Sequence, residues 1–545
     1  MAPKTTVKQR KSTACTKKSA PVGELNDSKH STMKNVIPHG ALPLPEITLY
    51  CTVWMSIMVY FVYVVIEASN EYKDHLWPGD FSKGWKFIGR DKDICDAEWE
   101  FWSNLKLEMI LAYCLHSTGG LVISHYLPMA RRWYYPAFTV AFLVLLVGIK
   151  SVLYVVAVCT VFYLTSRTQS VALVWTTVIG ILATLQFETA RNFQFQFLSS
   201  NPGKNEIVLF VTLMSLLRCV SFCLECCWHR QDGAGVTSDK TDKPLPSFTL
   251  LDLLLYNFYL PLFANGPLMT YKDFYTQFHQ PVQLLTKPEL LTILWDAIRT
   301  LWWYIFLEVY LHYMYSAALV RKDPVFKGLS VWTITGIMYS QLNIFLVKYV
   351  VLYRLSGLFA RFDHLDPPGA PRCVSTLYLF GDMWRYFDRG LNVWMKRYIY
   401  IPMGGSQKGI PRQITGSFLA FTFVWAWHGS RVDILWWVIP NWLGVVIEGL
   451  AGVVSDLPEV KARELSLSES NRRRVRALFG SVTLCCLFLS NLVFLQGYEP
   501  VWYYITRVYW QDKSVTFFLE FVEKGNSDKQ DCKCIFYKNE KEIEN

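Results

Sequence analysis

The chain has 545 residues, of which 52% are hydrophobic, 16% aromatic and only 18% charged, with a formal net charge of +10. That balance is too apolar for an ordinary soluble protein, and long apolar runs place the chain among multi-span membrane proteins. The positive excess lies in the amino-terminal tail and in loops such as Arg472-Arg473-Arg474-Val475-Arg476, where anionic lipid headgroups are a sufficient partner and nothing calls for nucleic acid.

Residues 1–45 are rich in Lys, Ser and Thr and read as a disordered basic tail. The tail is too long and polar for a cleavable signal peptide, so the first apolar run is expected to stay as a signal anchor. Its lysines and arginines favour a cytosolic amino terminus. Six apolar runs follow, at 47–68, 107–127, 134–148, 151–166, 171–187 and 207–224. Between the first two, residues 70–106 are polar but studded with tryptophan, and Asp96-Ala97-Glu98-Trp99-Glu100-Phe101-Trp102 reads as a luminal interfacial segment. The spans at 46–228 read as scaffold, and 229–247 as a polar loop.

Runs at 250–262, 290–320, 329–355, 413–427, 434–454 and 475–497 form the second half. They are interrupted by Pro and Gly and carry buried polar groups, as in Tyr256-Asn257-Phe258-Tyr259-Leu260-Pro261 and Ile401-Pro402-Met403-Gly404-Gly405-Ser406. Broken backbone at membrane depth is tolerated only where protein or a cavity surrounds it, so 248–497 should enclose a cavity. Residues 498–545 end in a polar tail, and 514–522 is too short to span. The expected fold is an all-α integral membrane protein with about ten to twelve transmembrane or re-entrant helices around an intramembrane catalytic cavity. No internal repeat of the kind common in transporters is visible.

Two ionisable residues stand out. His428 ends the apolar run Phe421-Thr422-Phe423-Val424-Trp425-Ala426-Trp427. An intramembrane imidazole is a functional candidate by default, and in an aromatic pocket desolvation would keep it neutral and able to accept a proton. A histidine that merely caps a helix is the alternative. Asp388 follows Met383-Trp384-Arg385-Tyr386-Phe387 and is either the acid that works with His428 or half of a salt bridge with Arg385 or Arg389. Trp384, Arg385, Tyr386 and Trp427 are candidate substrate-binding residues.

Glu308 and His312 share a helix face and read as a buried brace, and Arg218 with Glu225 as an intramembrane pair. The fourteen cysteines are scattered and form no disulfide framework. Cys223, Cys226 and Cys227 read as small buried thiols or a palmitoylation site, and Cys532 and Cys534 have no assigned role. Cys373, beside Arg372, is an inert thiol, a nucleophile or a ligand to haem iron.

These motifs resemble the membrane-bound O-acyltransferase family. The likeness is carried by the segment from Tyr256 to Pro267, by Pro371-Arg372-Cys373-Val374-Ser375-Thr376, by Met383 to Asp388, by Gly404-Gly405-Ser406-Gln407, by Trp427-His428-Gly429 and by Asn441-Trp442-Leu443-Gly444. It is strongest to the branch that acylates secreted Hedgehog-type proteins, and covers about residues 45–497. The resemblance implies an endoplasmic-reticulum enzyme that moves palmitate from palmitoyl-CoA to an amino-terminal cysteine amine of a Hedgehog-type precursor. It places catalysis on His428 and Asp388, Trp384 beside the acyl channel, and haem b on Cys373. A lipid acyltransferase of the same superfamily and a non-enzymatic transporter or scaffold are the alternatives.

Overall fold

The computed structural model describes residues 43–232, 247–263, 265–281 and 285–511. Most of the basic tail, most of the 229–247 loop, Cys532, Cys534 and the 514–522 segment lie outside the described residues.

The structure is helical, apart from one short antiparallel pair, Phe81–Ser82 with Lys92–Asp93. The first half comprises α1 (Leu44–Glu71), α2 (Lys106–Tyr126), α3 (Arg131–Val147), α4 (Ile149–Arg167), α5 (Val171–Gln186), α6 (Glu188–Leu198) and α7 (Pro202–Asp232). The second comprises α8 (Lys287–Tyr313), α9 (Val331–Phe362), α10 (Phe380–Tyr386), α11 (Arg389–Met395), α12 (Ile410–Trp427), α13 (Val432–Ser455) and α14 (Glu469–Gln496). Among the described residues, eight helices are long and apolar enough to cross a membrane, or nine if α5 and α6, bent by 80° at Phe187, make one span. The runs at 134–148 and 413–427 become the shorter helices α3 and α12. The run at 250–262 breaks into Leu250–Asn257 and Leu260–Phe263.

These short pieces are held by protein, as their exposed backbone requires. The Arg218 guanidinium, fully buried on α7, donates to the carbonyls of Phe263 (2.9 Å) and Leu262, satisfying acceptors that a broken helix leaves open. Its expected partner Glu225 binds Arg397 and Tyr398 instead. Two turns along one helix separate Arg218 from Glu225, about 10 Å of rise, which is too far for a contact. Gly390 is a close-approach position: a Cβ there would lie 2.1 Å from the Leu268 carbonyl oxygen. It locks α11 against the 265–270 loop.

The largest core cluster includes Phe162, Cys219, Phe222, Cys223, Trp394 and Tyr398 around α7, the most buried of the long apolar helices. Cys223 donates to the Phe162 carbonyl, so the cysteines of this helix pack as small apolar side chains.

The segment between α1 and α2 is strapped onto the second half. Glu308 accepts from Lys92 (3.2 Å) and the Trp99 indole (3.1 Å), and His312 Nε2 accepts from the Trp85 N–H (2.8 Å). Arg90 donates to the His312 carbonyl. Glu308 and His312 therefore brace the fold, each through its own partners. Asp96 caps the helix Ala97–Asn104 by accepting from Trp99 N, and Lys348 of α9 reaches both Asp96 (2.8 Å) and Glu98 (2.9 Å).

Candidate active site

α12 is an apolar helix that ends at His428. The backbone N–H of His428 closes the last turn on Val424 O (3.0 Å), and Gly429 follows at φ +104°. A positive φ there is accessible to glycine at little cost, and it turns the chain sharply so that His428 is the last side chain on the helix. Two indoles pin this turn: Trp427 Nε1 donates to Leu213 O (3.0 Å) and Trp425 Nε1 to Arg431 O (3.1 Å). The Gln186 amide donates to the Ala426 carbonyl, which also accepts the Gly429 N–H of the turn.

The imidazole sits edge-on to Trp427, Trp437 and Phe494, with centroids 4.8, 5.6 and 5.4 Å away. Among the described residues no group hydrogen-bonds to its ring nitrogens, so a histidine tied to a backbone carbonyl is not what the structure shows. The ring instead lines a cavity of about 580 Å³.

Asp388 lines the same cavity. It is the N-cap of α11, accepting from Leu391 N–H (2.9 Å), and its other oxygen accepts from the Tyr353 hydroxyl (2.8 Å). Neither flanking arginine is its salt-bridge partner: Arg385 pairs with Asp382 (3.1 Å). Asp388 and His428 share the cavity without a hydrogen bond between them, which leaves space for a reacting group.

Trp384 and Trp427 also face this cavity, whereas Arg385 and Tyr386 do not. The Trp384 indole donates to Asn441 (3.3 Å) and packs against Phe421 and Trp437. Tyr386 lies under the Arg372 guanidinium, 4.0 Å from ring centroid to Cζ. On a helix, 383, 384, 387 and 388 share a side and 385–386 point away from it. That periodicity is the signal that separates them.

The sequence reading missed several lining residues. Glu98 reaches the cavity from the strapped segment, its carboxylate accepting from Asn265 (3.1 Å) and Tyr349 (3.2 Å). Tyr353 and Asn491 also line it. One wall is apolar, built by Leu182 and Leu185 of α5 and Leu209, Leu213 and Leu217 of α7. The same lining thus brings Glu98, Asp388 and His428 together with an apolar surface suited to a hydrocarbon chain.

Cys373 is half-buried ahead of a short turn, Val374–Thr376, and lines neither this cavity nor the small one beside Lys348. Among the described residues no cluster of three or more His, Cys, Asp or Glu side chains is placed to hold a metal. Cys373 would offer haem iron a thiol, but neither of these two cavities reaches it, and the acyl-transfer chemistry does not need it.

A family model described as the membrane-bound O-acyltransferase family matches residues 160–490. The mouse "Protein-cysteine N-palmitoyltransferase HHAT" is 31% identical over 86% of this chain and 94% of its own length. The fruit-fly (Drosophila melanogaster) "Protein-cysteine N-palmitoyltransferase Rasp" is 25% identical over 84% of this chain and 90% of its own. The Candida tropicalis "Membrane-bound O-acyltransferase GUP1" is 26% identical over 87% and 84%.

Proposed function

The chain belongs to the membrane-bound O-acyltransferase family, and from that premise we propose that it transfers palmitate from palmitoyl-CoA to the amino-terminal cysteine amine of a secreted Hedgehog-type protein. The observation that carries this reading is that His428, Asp388 and Glu98 line one cavity together with leucines of α5 and α7. Likeness to the mouse and fruit-fly cysteine palmitoyltransferases over most of their length supports the choice of acceptor.

In this mechanism the acyl chain lies along the apolar wall, where each buried CH₂ contributes about 0.8 kcal/mol. The acceptor amine approaches the polar part of this lining, whose carboxylates suit a cation. His428, with no hydrogen-bond partner on its ring, takes a proton as the amine nitrogen attacks the thioester carbonyl carbon. The C–N bond forms, the C–S bond breaks, and the proton passes to the departing CoA thiolate. Asp388, fixed by Tyr353 and Leu391, balances the transient imidazolium charge across the cavity. Most of the acceleration asked of the site is orientation plus one proton transfer. We place the protein in the endoplasmic-reticulum membrane with its amino terminus in the cytosol, so that the strapped segment and Glu98 face the lumen where a secreted acceptor resides.

The test is purified protein with labelled palmitoyl-CoA and a Hedgehog-type amino-terminal peptide, its amino-acetylated form, and a lysophospholipid. Label on the free peptide alone is expected. The likeness to an O-acyltransferase, GUP1, favours a hydroxyl acceptor as the second reading; we take a lysophospholipid as its probe, and label on the lysolipid alone would establish it.

A further inference from the structure

One face of α13 carries Trp437, Asn441, Gly444 and Glu448, at intervals of four, three and four residues, which makes a continuous stripe along a helix. Each member grips a part of the active site. Trp437 meets the His428 ring edge-on and packs against Trp384. Asn441 accepts from the Trp384 indole. Gly444 admits the Phe380 ring so closely that a Cβ would fall 2.4 Å from its Cδ2. Glu448 takes the two first backbone N–H groups of α10, Phe380 N to Oε1 at 2.5 Å and Gly381 N to Oε2 at 2.8 Å.

A carboxylate about two-thirds of the way along an apolar helix is costly and needs a reason. Here it neutralises donors that the start of α10 leaves open, and α10 is the helix that carries Trp384 and leads directly into Asp388. Glu448 itself takes no part in the proton chemistry. We infer that Glu448 is a positioning residue: through it, the α13 stripe sets the spacing between the His428 turn and the segment bearing Trp384 and Asp388. Without the cap, α10 keeps only the Trp384–Asn441 bond and ring packing against α13. Although Arg372 still holds its far end at Tyr386, its start can slide along the stripe and the two halves of the site lose their register.

This inference rests on the acyl-transfer reading above, and its test uses the full-length protein with two variants. A shift of about 1 Å costs on the order of a hundredfold in rate, so Glu448→Ala is expected to lower kcat at least about tenfold while KM for palmitoyl-CoA stays within about threefold. Glu448→Gln keeps a carbonyl oxygen for one of the two N–H groups but turns an amide donor toward the other, so its kcat should lie between those of the wild type and the alanine variant. Hydrogen exchange should quicken in 380–388 and not in 410–427. Normal kcat in the alanine variant would overturn the inference, as would faster exchange across the whole chain with a proportional loss of folded protein, the mark of a general brace. If the wild type itself transfers no palmitate, the functional reading fails, whereas the local exchange pattern still decides for or against the positioning role.

Discussion

Asp388→Asn separates the two jobs that the structure gives this carboxylate. Asparagine caps a helix about as well as aspartate, so its carbonyl oxygen keeps the bond from Leu391 N. The Tyr353 hydroxyl, which now donates to Oδ2, can turn to accept from the amide. Exchanging a charge-assisted bond for a neutral one costs about 1 kcal/mol, and the variant should fold. Asp388→Ala loses the cap, about 1 kcal/mol, and strands the buried tyrosine hydroxyl, about 1–3 kcal/mol more. The stability difference between the variants is thus a few kcal/mol, whereas both lose the charge opposite His428. Turnover should fall at least tenfold in each, or at least about 1.4 kcal/mol in the barrier. The assay is Tm of the purified variants beside palmitoyl transfer to peptide. An Asp388→Asn protein with normal Tm and normal turnover would show that the carboxylate is a helix cap and nothing more.

His428→Ala should abolish transfer while leaving Tm close to wild type, because the ring makes edge contacts at a cavity wall and no hydrogen bond; turnover near normal would remove it as the base. Arg385→Ala should keep turnover within about threefold, since an exposed pair such as Arg385–Asp382 contributes about 1 kcal/mol or less; a large loss specific to kcat would put the guanidinium back in the site. If Cys373 ligates haem iron, the purified protein absorbs in the Soret region and Cys373→Ala removes the band with turnover largely kept, because the thiol lines neither cavity. A colourless, fully active preparation would end the haem reading.

How far the site was legible depended on the range of each contact. His428 and Trp427 were visible because an ionisable group at the end of an apolar run is conspicuous in one dimension. Asp388 was visible for the same reason, but its neighbours misled: Arg385 and Arg389 suggested a salt bridge, and the actual partner is Tyr353, 35 positions away. Arg385 and Tyr386 were grouped with Trp384 by adjacency, and helical rotation sends them elsewhere. Glu98 could not be found by any local pattern, because its place depends on Lys348, Tyr349 and Asn265. The broken second half was legible from Pro and Gly, which act locally. The pairing of Arg218 was not, because its acceptors are backbone carbonyls that any sequence possesses.

The strap between α1 and α2 has a consequence for how such an enzyme can diversify. It contributes Glu98 to the cavity, yet it lies outside the candidate spans and is fastened to them at a handful of points: the side chains of Lys92, Arg90 and Asp96 and the backbone N–H of Trp85. Under the proposed acyl transfer, the part of the cavity lining that carries Glu98 is thereby separable from the leucines that would hold the acyl chain. A chimera that grafts residues 77–103 from a relative, with those fastening positions retained, would alter the Glu98 side of the cavity while the leucine-lined slot and the imidazole stayed as they are.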